Sequence, residues 1–136
     1  MDKEICNVSC IDNGEEKNAI IELIENENSV MINFILGDLV LTKASDNFFD
    51  ALLELRKELE KTNIKLLCKG CSRNVYPSGM LLSMGSGRKA YSLTYGLQAR
   101  TEALVDIFES CSYIDYATIG EQLAYFEGWA SSLGSK

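Results

Sequence analysis

The tripeptide Asp12-Asn13-Gly14 lies between two runs of apolar and β-branched residues, and it restricts the fold of this chain more than any other feature. Asparagine and glycine tolerate the left-handed backbone that a tight reversal requires. Residues 6–11 and 19–24 therefore read as the two strands of an antiparallel hairpin. A second polar reversal at residues 25–28 leads into residues 30–36, where β-branched and aromatic side chains predominate. Gly37-Asp38 supplies a further turn before residues 39–42. The first third is expected to be an antiparallel meander of three or four strands, with its acids on turns and on the solvated face.

The apolar period then changes. Phe48, Leu52, Leu55 and Leu59 recur at helical spacing with Phe49 and Leu53 beside them, and Ser45 or Asp46 can cap the helix they define. Asp46 and Asp50 near its start and Arg56, Lys57 and Lys61 toward its end suit the helix macrodipole, and Asn63 is a stop. Residues 64–68 read as a short buried strand, which makes a strand–helix–strand crossover onto one sheet. Residues 69–89 intersperse Gly70, Pro77, Gly79, Gly85 and Gly87 with Tyr76, Met80, Leu81, Leu82 and Met84, and no regular element is expected there. Residues 90–95 alternate as a strand, and residues 104–108 read as a strand or helix edge. Thr118 followed by Glu121 makes a capping box for a last helix, with Ile119, Leu123, Phe126 and Leu133 on its core face and Trp129 alongside. The expectation is a single α+β domain over residues 1–136: a mostly antiparallel β-sheet of five or six strands packed against two α-helices.

The chain contains no histidine, which excludes Ser-His-Asp and Cys-His nucleophilic catalysis and any zinc site that uses imidazole. Five cysteines cannot all pair within one chain. The opening Met-Asp-Lys-Glu has no apolar segment behind it, and the longest apolar runs are far too short to span a bilayer. Reduced thiols, a cytoplasmic location and no membrane partner are the expectation.

Cys68-Lys69-Gly70-Cys71 matches a redox half-motif, and Lys69 and Arg73 would lower a nearby thiol pKa; the competing reading is two small apolar fillers at a strand end. A zinc site would need Cys6 and Cys10 as the second half, yet positions four apart on a strand lie about 13 Å apart. Gly85-Ser86-Gly87-Arg88-Lys89-Ala90 spells a dinucleotide fingerprint but leads into a strand rather than a helix. A looser anion or phosphate site built from Arg73, Arg88, Lys89 and glycine amides in the 69–89 loop is the alternative function. Asp106 and Glu109 could act as acid and base, but surface carboxylates beside a core face explain them better. No catalytic residue, metal ligand or cofactor is assigned, and the chain is read as a binding protein rather than an enzyme.

Charge is segregated along the chain: residues 1–60 carry a balance of −9, residues 61–101 hold seven bases and no acid, and residues 102–136 carry −5. The net −7 disfavours direct nucleic-acid binding and favours a basic protein partner. Acids on the meander turns, Asp12, Glu15, Glu16, Glu25 and Glu27, would steer such a partner. Tyr76 and Met80, with Arg73 and Arg88 at the ends of their loop, would supply the anchoring contacts.

The stretch Leu67-Cys68-Lys69-Gly70-Cys71-Ser72-Arg73-Asn74-Val75-Tyr76-Pro77-Ser78-Gly79-Met80, continued by Met84-Gly85-Ser86-Gly87-Arg88-Lys89-Ala90-Tyr91, resembles small bacterial proteins without a catalytic assignment. In size and acidity the chain is also similar to the immunity proteins of contact-dependent growth inhibition and related polymorphic toxin systems. The resemblance is one of type, so no binding residues transfer. It implies a tight complex with a cognate toxin domain, a nuclease among the candidates, and no enzymatic activity.

Overall fold

The computed structural model describes residues 2–134. Strands β1 (Asp2–Asp12) and β2 (Glu15–Glu25) pair antiparallel with Asp12 opposite Glu15, which leaves only Asn13 and Gly14 in the loop. Both have positive φ, 56° and 88°. Two consecutive left-handed residues match the twist of the strands they join, so the predicted turn forms and the strands run further than the apolar pattern alone suggests. Strands β3 (Val30–Leu36) and β4 (Leu39–Ser45) follow, joined through Gly37, which sits at φ 60°.

Helix α1 (Phe48–Lys61) then crosses the sheet to β5 (Ile64–Leu66), which pairs antiparallel with β1. The order is β4-β3-β2-β1-β5, so α1 links the two edges and covers one face of the whole curled sheet. Ile21, Ile32 and Phe34 from that face meet Leu52, Leu55 and Leu59 of α1 in the core. Asn63 ends the helix at φ 57°, as expected of a residue that tolerates the left-handed region.

The cap of α1 differs from the expectation. Asn47, not Ser45 or Asp46, accepts a hydrogen bond from the Asp50 backbone N–H at 2.8 Å. Ser45 is unavailable because β4 continues to it, opposite Val30. Asn47→Ala should lower stability by about 1 kcal/mol, seen as a lower denaturant midpoint at unchanged slope.

Residues 69–89, where no regular structure was expected, hold three elements. A 3-10 turn at Lys69–Cys71 precedes β6 (Val75–Tyr76), and Ser78 caps α2 (Gly79–Met84) through its hydroxyl to the Leu81 N–H. Each covers fewer than two periods of its own pattern, so no apolar repeat can mark it in the sequence. β6 pairs with β7 (Lys89–Ser92), and β7 with β8 (Leu104–Asp106), as a second, three-stranded sheet. The described residues thus form the expected α+β arrangement, a five-stranded antiparallel sheet with two longer helices, and add a second, three-stranded sheet and the short α2.

Helix α3 (Ile119–Gly134) starts with the capping box: the Thr118 hydroxyl accepts from the Glu121 N–H at 3.2 Å, and the Glu121 carboxylate accepts from the Thr118 N–H at 2.9 Å. Its expected core face is rotated. Leu123 is 42% exposed, whereas Gln122 is buried. The Gln122 amide donates to the carbonyls of Gly70, Ser72 and Val75 at 2.9, 2.9 and 2.8 Å. Its oxygen accepts from the buried Arg56 guanidinium at 2.6 Å, which also donates to the Ala117 carbonyl at 2.7 Å. One polar hub thus ties α1 and α3 to the segment between β5 and β6.

Candidate functional site

The most distinctive surface surrounds α2. This six-residue helix carries Met80, 69% exposed, and contributes Gly79 to one cleft and Leu82 and Ser83 to another. On one side lies an aromatic cleft of roughly 270 Å³ lined by Tyr76, Pro77, Tyr91, Leu93, Phe126 and Trp129. The register Tyr76 opposite Tyr91 puts both phenols on one face of the small sheet. Tyr76 stacks on Phe126 with centroids 4.2 Å apart and meets Phe49 edge-on at 5.1 Å. Phe126 and Trp129, one helical turn apart on α3, are themselves stacked at 5.9 Å.

Trp129 is held in place from the loop after β7. Its indole N–H donates to the Leu97 carbonyl at 2.8 Å, and the Gly96 N–H donates to the Ser132 hydroxyl at 2.8 Å. Gly128 leaves room for Tyr95, whose hydroxyl any Cβ at that position would overlap. Tyr95 in turn packs on Tyr125 at 4.7 Å. The cleft wall is therefore preformed, which reduces the ordering cost of any contact made there.

On the other side of α2 is a polar cleft of roughly 230 Å³, lined by Glu25, Glu27, Asn28, Asp46, Leu82 and Ser83. Among the described residues none of these three carboxylates takes part in an ion pair. The Tyr76 phenol is pushed up by burial and then by the negative charges of Asp50 and Glu127.

Of the residues expected to bind a partner, the structure brings Glu25, Glu27, Tyr76 and Met80 to this one end of the molecule. Asp12, Glu15 and Glu16 sit at the far end of the β1–β2 hairpin, roughly 30 Å from Glu25 along the strand. There Lys17 pairs with Asp12 at 2.9 Å and Glu15 at 3.8 Å. The turn acids therefore do not form one surface, because the successive turns of a meander alternate between its two ends. Arg73 is also elsewhere, pairing with Asp115 at 3.0 Å. Arg88 is engaged within the protein: its guanidinium meets Glu4 at 2.9–3.0 Å and Asp106 at 2.9 Å. The sequence reading missed Asp46, Asp50, Tyr91, Phe126 and Trp129 as members of the site. The spacing of Phe126 and Trp129 was visible but was assigned to the core.

The charge segregation of the sequence is partly undone in space. Lys69 meets Glu109 at 3.2 Å, and with Arg73 and Arg88 it matches bases of the middle segment to acids from both flanks. An anion bound in the 69–89 loop would have to displace the carboxylates that already occupy Arg88. The cysteine pair lies inside the protein: the Cys68 and Cys71 sulfurs are 3.7 Å apart and neither residue is exposed. Hydrogen bonding to Cys71 and burial push the Cys68 thiol well up. Among the described residues no group of three or more Cys, Asp or Glu side chains is arranged to hold a metal ion, and no helix is long and apolar enough to cross a membrane.

Two carboxyls that fasten this framework are held below the usual 4.5: Glu4 by its hydrogen bonds from Arg88, and Glu121 by the Thr118 N–H. A depressed folded-state pKa stabilises the fold above the unfolded value and loses that contribution as pH falls through the folded one. The thermal midpoint should thus drop as pH is lowered below about 4.5, and Glu4→Gln should flatten that dependence.

In comparison with known proteins, no family model matches this chain and no curated protein does, so the chemistry of the end around α2 rests on its own residues: preformed aromatic walls, an exposed methionine and unpaired carboxylates.

Proposed function

We propose that this chain is a binding protein, an immunity protein that neutralises a cognate bacterial toxin domain by direct contact through the end that carries α2. The observation that carries the reading is α2, which bears the exposed Met80 and lines an aromatic cleft with Gly79 and an acidic one with Leu82 and Ser83. Rigid aromatics and methionine concentrate interface energy, while carboxylates on the rim speed encounter with a basic partner and disfavour the wrong ones. A contact of about 800 Å² per partner, centred on α2, is enough for a stable complex. The acidity and size of the chain, similar to those of immunity proteins, support the same reading. Such a protein works in the cytoplasm, by occlusion, with no turnover.

The test is complex formation with the product of the adjacent reading frame, followed by calorimetry. Met80→Glu and Trp129→Ala should each weaken binding by roughly 30-fold or more, with little change in thermal midpoint for Met80→Glu. Charge reversal at Glu15 and Glu16, at the far end, should change affinity only a few-fold. A tight complex that ignores Met80 and Trp129 but is lost on reversing Glu15 and Glu16 would refute this placement, and the absence of any toxin partner would refute the function.

A further inference from the structure

Cys68 and Cys71 are placed to react with one another. Cys68 precedes the 3-10 turn at Lys69–Cys71 and Cys71 ends it, and the Cys71 N–H donates to the Cys68 carbonyl at 2.9 Å. Such a turn takes three residues, so side chains at i and i+3 fall on the same side of it. The two sulfurs are accordingly 3.7 Å apart and share a hydrogen bond, and among the described residues no other cysteine pair does so. A disulfide needs about 2.05 Å, which leaves an approach of roughly 1.6 Å, within the reach of side-chain rotation.

A second observation is the buried cation beside this turn. Arg56 is 2% exposed, forms no ion pair among the described residues, and its Nε has no partner. Its guanidinium donates to the Gly70 carbonyl, between the two cysteines, at 3.5 Å. It also donates to the Ala117 carbonyl at 2.7 Å, while the Ala117 N–H donates to the Cys71 carbonyl at 3.1 Å. A guanidinium cannot shed its proton, and an uncompensated buried charge is costly. Within residues 68–72 the two thiols are the acids, so they are the groups there that can supply a negative charge. The thiolate is the nucleophilic form of cysteine.

We propose that Cys68 and Cys71 form a dithiol that a small hydroperoxide converts to a disulfide. One sulfur, as thiolate, attacks a peroxide oxygen; the O–O bond breaks, a sulfenic acid forms and the departing hydroxide takes the proton of the other thiol. That second thiolate then attacks the sulfenic sulfur, the S–S bond forms and the S–O bond breaks. The hydroxide released takes up the proton that the first thiol gave to solvent. Two thiols lose two electrons and hydrogen peroxide becomes two waters. Burial of both residues shuts out bulky oxidants and favours one the size of peroxide. The neighbouring thiol also traps the sulfenic acid before it is oxidised further.

Trypsin cleaves after Lys65, Lys69 and Arg73, so closure is recorded as peptides 66–69 and 70–73 joined to each other. The folded full chain is treated with hydrogen peroxide, free thiols are alkylated, and the digest is weighed by mass spectrometry. The joined peptides should appear, two hydrogens lighter than the reduced pair, before the half-buried Cys6 or Cys111 gains oxygen, and a thiol reductant should restore both. The Cys6→Ser, Cys111→Ser double variant should close the pair at a rate within about twofold of the wild type. Oxidation of Cys6 and Cys111 while Cys68 and Cys71 remain open to alkylation would overturn the proposal. So would joining that occurs only in denaturant, which would assign the reaction to the unfolded chain. Loss of closure in the double variant would show relay through the outer thiols and overturn direct reaction with peroxide. None of these outcomes depends on a toxin partner.

Discussion

Replacing Gln122 with alanine should destabilise the protein by about 3–5 kcal/mol, the largest effect expected of any polar substitution in α3. The amide of Gln122 satisfies the carbonyls of Gly70, Ser72 and Val75, and its oxygen accepts from Arg56. These partners are shielded from water, and although the Ser72 carbonyl keeps the Val75 N–H and the Gly70 carbonyl a long contact to Arg56, losing the side chain removes the short partners of the Val75 carbonyl and of the Arg56 guanidinium, at about 1–3 kcal/mol each. Arg56 raises the stakes further: it is 2% exposed, and among the described residues it forms no ion pair and its Nε lacks a partner. The Gln122→Ala and Arg56→Ala costs should therefore be strongly non-additive, with a coupling of more than about 1 kcal/mol in a double-mutant cycle. Denaturant unfolding of the four proteins gives the answer. A Gln122→Ala cost below about 1 kcal/mol would mean that the hub is replaced by water.

Gly70→Ala should cost about 3 kcal/mol, although it adds a single carbon. That carbon would stand 2.7 Å from the Leu52 Cδ2, 2.8 Å from the Ile107 Cβ and 2.9 Å from the Ile107 carbonyl oxygen. Leu52 could turn aside, but Ile107 could not, because its carbonyl accepts the Gly70 N–H at 2.8 Å and any shift would pull the two segments apart. Gly120→Ala is the matched contrast. A Cβ there meets nothing within 4 Å, and the residue lies in α3, so the same chemical change should be neutral or stabilising by up to about 1 kcal/mol. Opposite signs for the two variants in one melting series would establish that Gly70 is selected by space rather than by backbone freedom.

The two effects concern the same short stretch, and that has a consequence for the α2 end. Segment 69–75 is held from one side by Gln122 and from the other by Ile107, and β6 follows directly from it. Tyr76 therefore takes its position in the cleft from contacts made several residues upstream. Variants at Gln122 should also weaken partner binding, whereas Met80→Glu should weaken binding with little change in stability.

The sequence by itself determined the parts whose signals are local. Asn13-Gly14 dictated the first hairpin, the heptad-like leucines dictated α1, and Thr118 with Glu121 dictated the start of α3, because turn chemistry, helical period and capping act over a few residues. Only the tertiary structure decided which acids share a surface. Asp12 and Glu27 look alike as turn carboxylates, but an eleven-residue strand separates their ends of the sheet. It alone decided that Gln122 is inside and Leu123 outside, since the hub exists only once three carbonyls from a distant segment converge on α3. It also decided that Phe126 and Trp129 line a cleft rather than fill the core. A helix can report which of its residues are apolar, but the space against which they pack is set by segments far away in the chain.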